Sequence, residues 1–348
     1  MLAWKHMTEG FRIDPAELPS EAVIFGSTAA MQEVRTQMAP LLHGDSPLLI
    51  QGEGGTGKEL IARYVHSHSG RCAGPFVKLA CTAMPADWLE RELLGYRRGA
   101  FRGARNSKRG LIEVADGGTL FLSGVDGMDW TLQGKLIRLL RDGSYFRIGG
   151  FEERRADVRV ICSNEADLRE AVKAGRFRRD LFLCISSVCL RLPALRDRKE
   201  DIPQLWGYFA RKFAAKFNRT LPTLTPAALR VLEGWSWPGN LHELENGVAR
   251  AIILSDENAL GAELKHKMAW NSLEEMLPAE SGNAVISQPA ELSEPESALE
   301  RVIHANQWDT QWDPKHGVQT NSRPQPRTQR GRSSARRCRT RWHGPTEQ

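Results

Sequence analysis

Eight consecutive residues, Gly52-Glu53-Gly54-Gly55-Thr56-Gly57-Lys58-Glu59, have the types and spacing to hold phosphate. Glycines let backbone N–H groups close around phosphate oxygens, and a helix opening at the end of the loop turns its positive end toward them. Lys58 adds a full charge toward the outer phosphates of a nucleotide. The plainer alternative is a glycine-rich turn carrying a solvated lysine. An apolar run before the loop and helical spacing after it favour the phosphate loop. The general pattern places Ser or Thr after the lysine to hold magnesium, and Glu59 stands there instead. A second chemical feature is basic: Arg97, Arg98, Arg102 and Arg105 lie in and around Gly99-Ala100-Phe101-Arg102-Gly103-Ala104. It reads either as a solvated loop or as a contact loop.

A phosphate loop needs a strand to deliver it and a helix to receive it. Residues 47–51 are a short apolar run and residues 59–68 have helical spacing. Downstream, residues 76–80, 119–122, 158–162 and 187–192 read as strands, and residues 87–94 and 132–140 as helices. Strands alternating with helices indicate βαβ units and a parallel sheet. After Pro193 the pattern changes. Residues 201–217, 226–232 and 242–254 read as helices with no strand between them, and Thr225-Pro226 is a helix cap followed by proline at the first helical position. Leu229, Val231, Leu232, Trp235 and Trp237 are expected to form the core of this helical unit. Cys184 and Cys189 are expected to be small apolar fillers.

The 348 residues, 41% hydrophobic and 26% charged, have ordinary globular composition. No stretch approaches the ~18 apolar residues of a membrane span, the first 18 residues lack a signal-peptide core, and six cysteines form no CxxC pair. These features lead us to expect a cytoplasmic protein with no membrane association, no disulfide framework and no structural metal site. The net charge of +6 has one source. Between Asp309 and Gln348 nine Lys or Arg face three acids, so the rest of the chain is neutral. That segment, poor in apolar residues, reads as a disordered basic tail.

Taken in order, these residues resemble the bacterial sigma-54-dependent transcription activators, or enhancer-binding proteins, of the AAA+ class. Residues 52–59 match the family's GExGTGKE loop, and residues 99–104 resemble its GAFTGA loop, which touches the sigma factor. Residues 115–122, ADGGTLFL, resemble the approach to its Walker B strand. Phe177-Arg178-x-Asp180-Leu181 resembles its arginine-finger segment, and the run from Trp237 to Asn246 its sensor II helix WPGNxRELxN. The resemblance covers about residues 25–258. It implies an α/β fold, an AAA+ P-loop module with a parallel five-stranded sheet and helices on both faces, followed by a small all-helical lid. It also implies ATP and magnesium as cofactors, and a hexameric ring with nucleotide between subunits and Arg178 reaching the neighbour.

The departures from the family pattern fall on its chemistry. Ser123 and Gly124 stand where the family has the Asp that orients magnesium and the Glu that polarises water. Asp126 and Asp129 lie just beyond. The sensor I Asn matches Glu165, with Asn164 one position early. The Asn that restrains the catalytic Glu matches Ala80. Of two finger arginines Arg178 remains and the second matches Cys184. His242 replaces the sensor II arginine, and Arg102 the threonine of GAFTGA. Each such loss typically costs a few kcal/mol of transition-state stabilisation, so binding without efficient turnover is expected.

The resulting organisation is an N-terminal segment (1–24) with no obvious sensory domain, an AAA+ α/β domain (25–195), a helical lid (196–258), a linker (259–293), a remnant of the first helix of a helix-turn-helix (294–308) and the basic tail (309–348). The missing second and third helices argue against specific DNA binding. Either a change of reading frame or a tail that meets nucleic acid through phosphates alone accounts for that ending. The expected function is an ATP-binding transcription regulator of the sigma-54 activator type, impaired in hydrolysis and in its contact with sigma-54 RNA polymerase. The alternatives are an active ATPase that remodels that polymerase, a non-hydrolysing modulator in the ring of a related activator, and the product of a decaying gene.

Overall fold

Strand residues buried on both faces, with helices supplied between them, require a sheet sandwiched by two helical layers. The computed structural model has this architecture and describes residues 13, 18–221 and 224–254. In chain order its elements are α1 (Glu21–Phe25), α2 (Ala29–Met38), β1 (Leu48–Gln51), α3 (Lys58–Ser67), β2 (Phe76–Ala80), α4 (Ala86–Leu94), β3 (Gly95–Tyr96), β4 (Lys108–Arg109), α5 (Leu111–Val114), β5 (Thr119–Ser123) and α6 (Trp130–Asp142). There follow β6 (Ser144–Phe146), β7 (Glu153–Arg155), β8 (Arg159–Asn164), α7 (Leu168–Lys173), α8 (Arg179–Ile185), β9 (Cys189–Arg191), α9 (Ile202–Phe217), α10 (Pro226–Gly234) and α11 (Asn240–Leu254).

The main sheet has five parallel strands in the order β2-β5-β8-β1-β9. Alternation along each strand sends Leu49, Val77, Leu79, Leu120, Leu122 and Val160 to one core, where Leu89 and Leu93 of α4 and Leu132 and Leu136 of α6 meet them. The intervening Leu48, Ile50, Phe76, Phe121, Ile161 and Leu190 enter a second core with Phe25, Met31, Ile61 and Val65 of α1 to α3. Each fully buried side chain of this size contributes about 1.5–3 kcal/mol, so both layers are tied to the sheet. Register then aligns the carboxyl ends. Gln51 pairs with Asn164, Ser123 with Ser163, and Ala80 with Ser123. The edge of the sheet is therefore a crevice lined by backbone and polar residues, the place where ligands meet open α/β sheets.

Helices α9, α10 and α11 build a third core around Ile202, Trp206, Leu232, Trp237, Leu244 and Val248. The Thr225 hydroxyl caps α10 by accepting from Ala228 N at 3.2 Å. Leu229 and Val231, expected in this core, are only half-buried, because the helix packs through Ala228 and Leu232. Cys189 also departs from expectation: it sits on edge strand β9 and is exposed, its Sγ 3.4 Å from Gln51 Oε1. Cys184 is half-buried on α8.

Two antiparallel hairpins, β3–β4 and β6–β7, were not expected; strands of two or three residues carry too little alternation to read. Helix α1 spans position 24, and its Ile24 and Phe25 enter the second core. No helix among the described residues is long and apolar enough to cross a membrane. The linker, the helix-turn-helix remnant and the tail lie outside the described residues.

Candidate functional site

Strand β1 delivers residues 52–57 to the crevice and α3 begins at Lys58. No side chain caps α3, so its first N–H groups open toward the loop. Gly55 has φ 75°, and a Cβ there would collide with the Gly239 carbonyl oxygen, so only glycine fits. The uncapped helix end and the glycine cradle suit an anion. Lys58 Nζ, only 12% exposed, donates to the carbonyl oxygens of Gly52 and Glu53, each at 2.7 Å. Burial draws its pKa down, and the nearby carboxylate of Glu165 offsets that in part.

Glu59 lines the cleft, but its carboxylate is taken up by two cations. Its carboxylate bonds Arg63 Nη2 at 2.7 Å and pairs with Lys78. Ser123 ends β5 at the crevice and offers one neutral hydroxyl. Gly124 follows with φ 67° and ψ 53°, its N–H donating to Ser163 O at 2.8 Å. Of the two nearby acids, Asp126 is exposed and lines the cleft. Asp129 is committed elsewhere: its Oδ1 accepts from Leu132 N at 2.7 Å and caps α6.

Asn164 and Glu165, adjacent in sequence, diverge in space. Asn164 is buried at the end of β8, its Nδ2 donating to Ala166 O at 2.9 Å and its Oδ1 accepting from Asp126 N at 3.4 Å. Glu165 faces the cleft, 68% exposed, with Oε1 3.7 Å from Lys58 Nζ. A carboxylate thus stands beside the phosphate-loop lysine.

The helical unit closes the other side of the cleft, whose volume is about 1160 Å³. Its grip on the loop depends on Glu53 and Asn240, which lie within the named motifs, and on Arg196 and Arg198, which the sequence does not single out. Asn240, buried at the start of α11, donates through Nδ2 to Gly54 O at 2.9 Å, and its Oδ1 accepts from Leu195 N at 2.8 Å. Glu53 accepts two hydrogen bonds from Arg196, at 2.9 and 2.5 Å, and one from Asn240 at 3.2 Å. Those bonds from Arg196 and Asn240 bring its pKa down to about 2. The buried Arg198 donates to Thr56 O at 3.1 Å, and burial lowers its pKa to about 10. The signal was present in part: an arginine pair after Pro193, and Asn240 following the Pro238-Gly239 turn. His242, half a turn further on, is exposed and lines the cleft beside Gly55.

Two candidates lie away from the phosphate loop. Arg178 precedes α8, forms a bidentate pair with Asp180 at 3.0 and 2.9 Å, and covers the ring of the half-exposed Trp130 at 5.2 Å. Its own N–H donates to Gln133 Oε1 at 2.7 Å. Residues 99–104 form a surface loop between β3 and β4. Gly99 N bonds Ala104 O at 2.9 Å, while Phe101 turns inward against Tyr96 and beneath the Arg91 guanidinium, 4.0 Å from its ring centre. Arg102 stays outside, exposed.

Comparison with known proteins adds to this geometry. A family model described as the sigma-54 interaction domain matches residues 24–191, and one described as the AAA+ ATPase lid domain matches residues 196–276. The chain is 42% identical over 232 residues to the regulatory protein AtoC of Escherichia coli, an alignment covering 67% of this chain and 50% of that protein. It is 40% identical over 272 residues to the DNA-binding transcriptional regulator NtrC of Rhizobium meliloti, covering 77% and 56%. The crystal structure of NtrX from Brucella abortus in complex with ADP superposes with a TM-score of 0.64 at 36% identity, covering 69% of this chain and 53% of that one. The chain spans about half the length of the curated relatives it matches.

Proposed function

The chain belongs to the sigma-54-dependent activators of the AAA+ class, and we propose that it is a cytoplasmic, ATP-binding transcription regulator of that type in which ATP hydrolysis and the sigma-factor contact are impaired. The observation that carries the reading is the contrast across the crevice. On one side stand an uncapped helix end, a glycine cradle and a largely buried lysine. On the other, Ser123 and Gly124 close β5 without a carboxylate.

In this reading residues 52–59 bind the phosphates, with Lys58 released from the loop carbonyls to the outer ones. ATP supplies the energy-rich phosphoryl bond when bound. The protein residues for hydrolysis are sparse. Glu59 is held by Arg63 and Lys78, and Ser123 alone gives a magnesium ion little to bind. Asp126, three positions past Ser123, lines the cleft, and a displacement of that size past the strand end costs catalytic geometry. Cys184 and His242 replace two cations of the family pattern, which weakens charge stabilisation further. Arg178, which pairs with Asp180 over Trp130, serves a neighbouring subunit of a hexameric or mixed ring in this reading. Arg102 puts a bulky cation at the tip of the sigma-contact loop, so sigma-54 RNA polymerase is not opened efficiently by this protein alone.

Binding and turnover measured on one purified sample test the proposal. Millimolar ATP or ADP is expected to raise the melting temperature, Lys58→Ala to abolish that rise, and hydrolysis to stay far below that of an intact relative. A wild type that shows no nucleotide-dependent shift refutes binding; robust turnover refutes impairment.

A further inference from the structure

Separate from the nucleotide cleft, two surface loops meet to make a basic face with one bare aromatic. Residues 97–109 contain six Lys or Arg and no acid. Two of the six are neutralised: Lys108 pairs with Glu92, and Arg109 lies 3.6 Å from Glu113. The other four, Arg97, Arg98, Arg102 and Arg105, are exposed and form no ion pair among the described residues.

The second loop joins β6 to β7 and is stapled to the first. Arg97 N donates to Ile148 O at 3.0 Å, and Ile148 N to Gly95 O at 2.9 Å. The approach is so close that a Cβ on Gly149 would lie 2.7 Å from Ala100 Cβ, and one on Gly150 3.1 Å from Arg97 Cδ. Phe151, the next residue, is 97% exposed. It therefore stands beside the arginines with its ring in solvent, while Phe101 of the first loop is turned inward under Arg91. The neighbouring Glu152 is engaged by Arg154 at 3.5 Å.

We propose that this face binds single-stranded nucleic acid, the four arginines following the phosphates and Phe151 stacking on a base. The chemistry is complementary in both parts. Unpaired arginines spaced along a loop match a phosphate backbone and gain by counterion release. A base offers a flat apolar surface to a ring that otherwise faces water, and stacking of this kind accepts any base. Duplex DNA keeps its bases stacked inside and cannot use Phe151. An acidic protein segment satisfies the arginines and leaves the ring uncovered.

The test uses the full chain, with fluorescence anisotropy of a labelled oligothymidylate across a series of salt concentrations. The basic segment from Asp309 onward is present in every sample, so differences between variants carry the result. Phe151→Ala is expected to weaken binding roughly fivefold to a hundredfold and leave the salt slope unchanged. Phe151→Trp is expected to keep wild-type affinity. Arg102→Ala with Arg105→Ala is expected to reduce the slope of log K against log salt by about 1.4, at about 0.7 per lost phosphate contact. Unaltered melting temperatures accompany these effects, since all three side chains are exposed. Wild-type binding by both the Phe151→Ala and the double arginine variants overturns the proposal and assigns binding to the C-terminal segment. Equal displacement by polyglutamate, with no effect of Phe151→Ala, also overturns it and points to an acidic protein partner.

Discussion

Restoring a carboxylate after Ser123 is expected to damage the fold before it repairs the chemistry, and Gly124→Glu tests that directly. Gly124 has φ 67° and ψ 53°, the left-handed region, and a Cβ at this position would lie 2.9 Å from Thr82 Cγ2 and 3.3 Å from Thr82 Oγ1. A side-chain-bearing residue in that backbone conformation costs about 1–2 kcal/mol. Forcing atoms into a filled contact adds about 1–3 kcal/mol. Together they give a destabilisation of about 2–5 kcal/mol, which in a domain of this size lowers the melting temperature by roughly 5–15 °C. Ser123→Asp should cost far less, because Ser123 is half-buried and faces the open cleft. Thr82→Ser removes the Cγ2 methyl and, combined with Gly124→Glu, should return about 1 kcal/mol, leaving the backbone strain. Calorimetric melting of the four proteins measures all of this without reference to activity. A Gly124→Glu protein melting within about 2 °C of wild type would refute the reasoning, since the loop would then relax freely around a new side chain. The consequence for catalysis is that Ser123→Asp with Gly124→Glu raises hydrolysis only in part.

Glu165→Gln should improve ATP binding relative to ADP by roughly threefold to tenfold, because a carboxylate beside Lys58 repels the additional phosphate; competition titrations with both nucleotides measure the ratio, and an unchanged ratio counts against it. His66 is fully buried with Nδ1 2.9 Å from Thr119 Oγ1, and burial, reinforced by Arg159, takes its pKa down from 6.5 to about 4. The unfolded chain therefore binds the extra proton between these values, so stability is full above about pH 6.5 and falls as the pH drops toward 4. About 2 kcal/mol should be lost between pH 7 and pH 5, and His66→Gln should flatten that part of the urea-unfolding profile. Asn240→Ala removes the bonds to Leu195 N and Gly54 O and leaves alanine at φ 52°. A loss of about 2–4 kcal/mol is expected, with weaker nucleotide binding as the lid loosens from the loop; wild-type stability in chemical denaturation would remove Asn240 from that role.

Short-range pattern carried much of this protein in its sequence. Residues 52–59 declare a phosphate loop because the chemistry needs glycines and a lysine at fixed spacing between a strand and a helix. Leu48 to Gln51 and Thr119 to Ser123 declare buried strands because both faces are covered. The ordered motifs from Gly52 to Asn246 were enough to identify the family. What sequence could not decide depends on contacts between distant residues. Glu53 meets Arg196 and Asn240 across well over a hundred positions of chain, and no periodicity in either segment announces the meeting. Asp129 and Asp126 look equivalent as candidate carboxylates until one is found capping α6 and the other lining the cleft. Asn164 and Glu165 differ by one position, yet the first is the last residue of β8, a strand buried along its whole length, and where the strand stops the second turns to Lys58. Phe151 reads as an ordinary aromatic in a short loop. Only the packing of that loop against residues 97–100 leaves its ring in water beside four arginines.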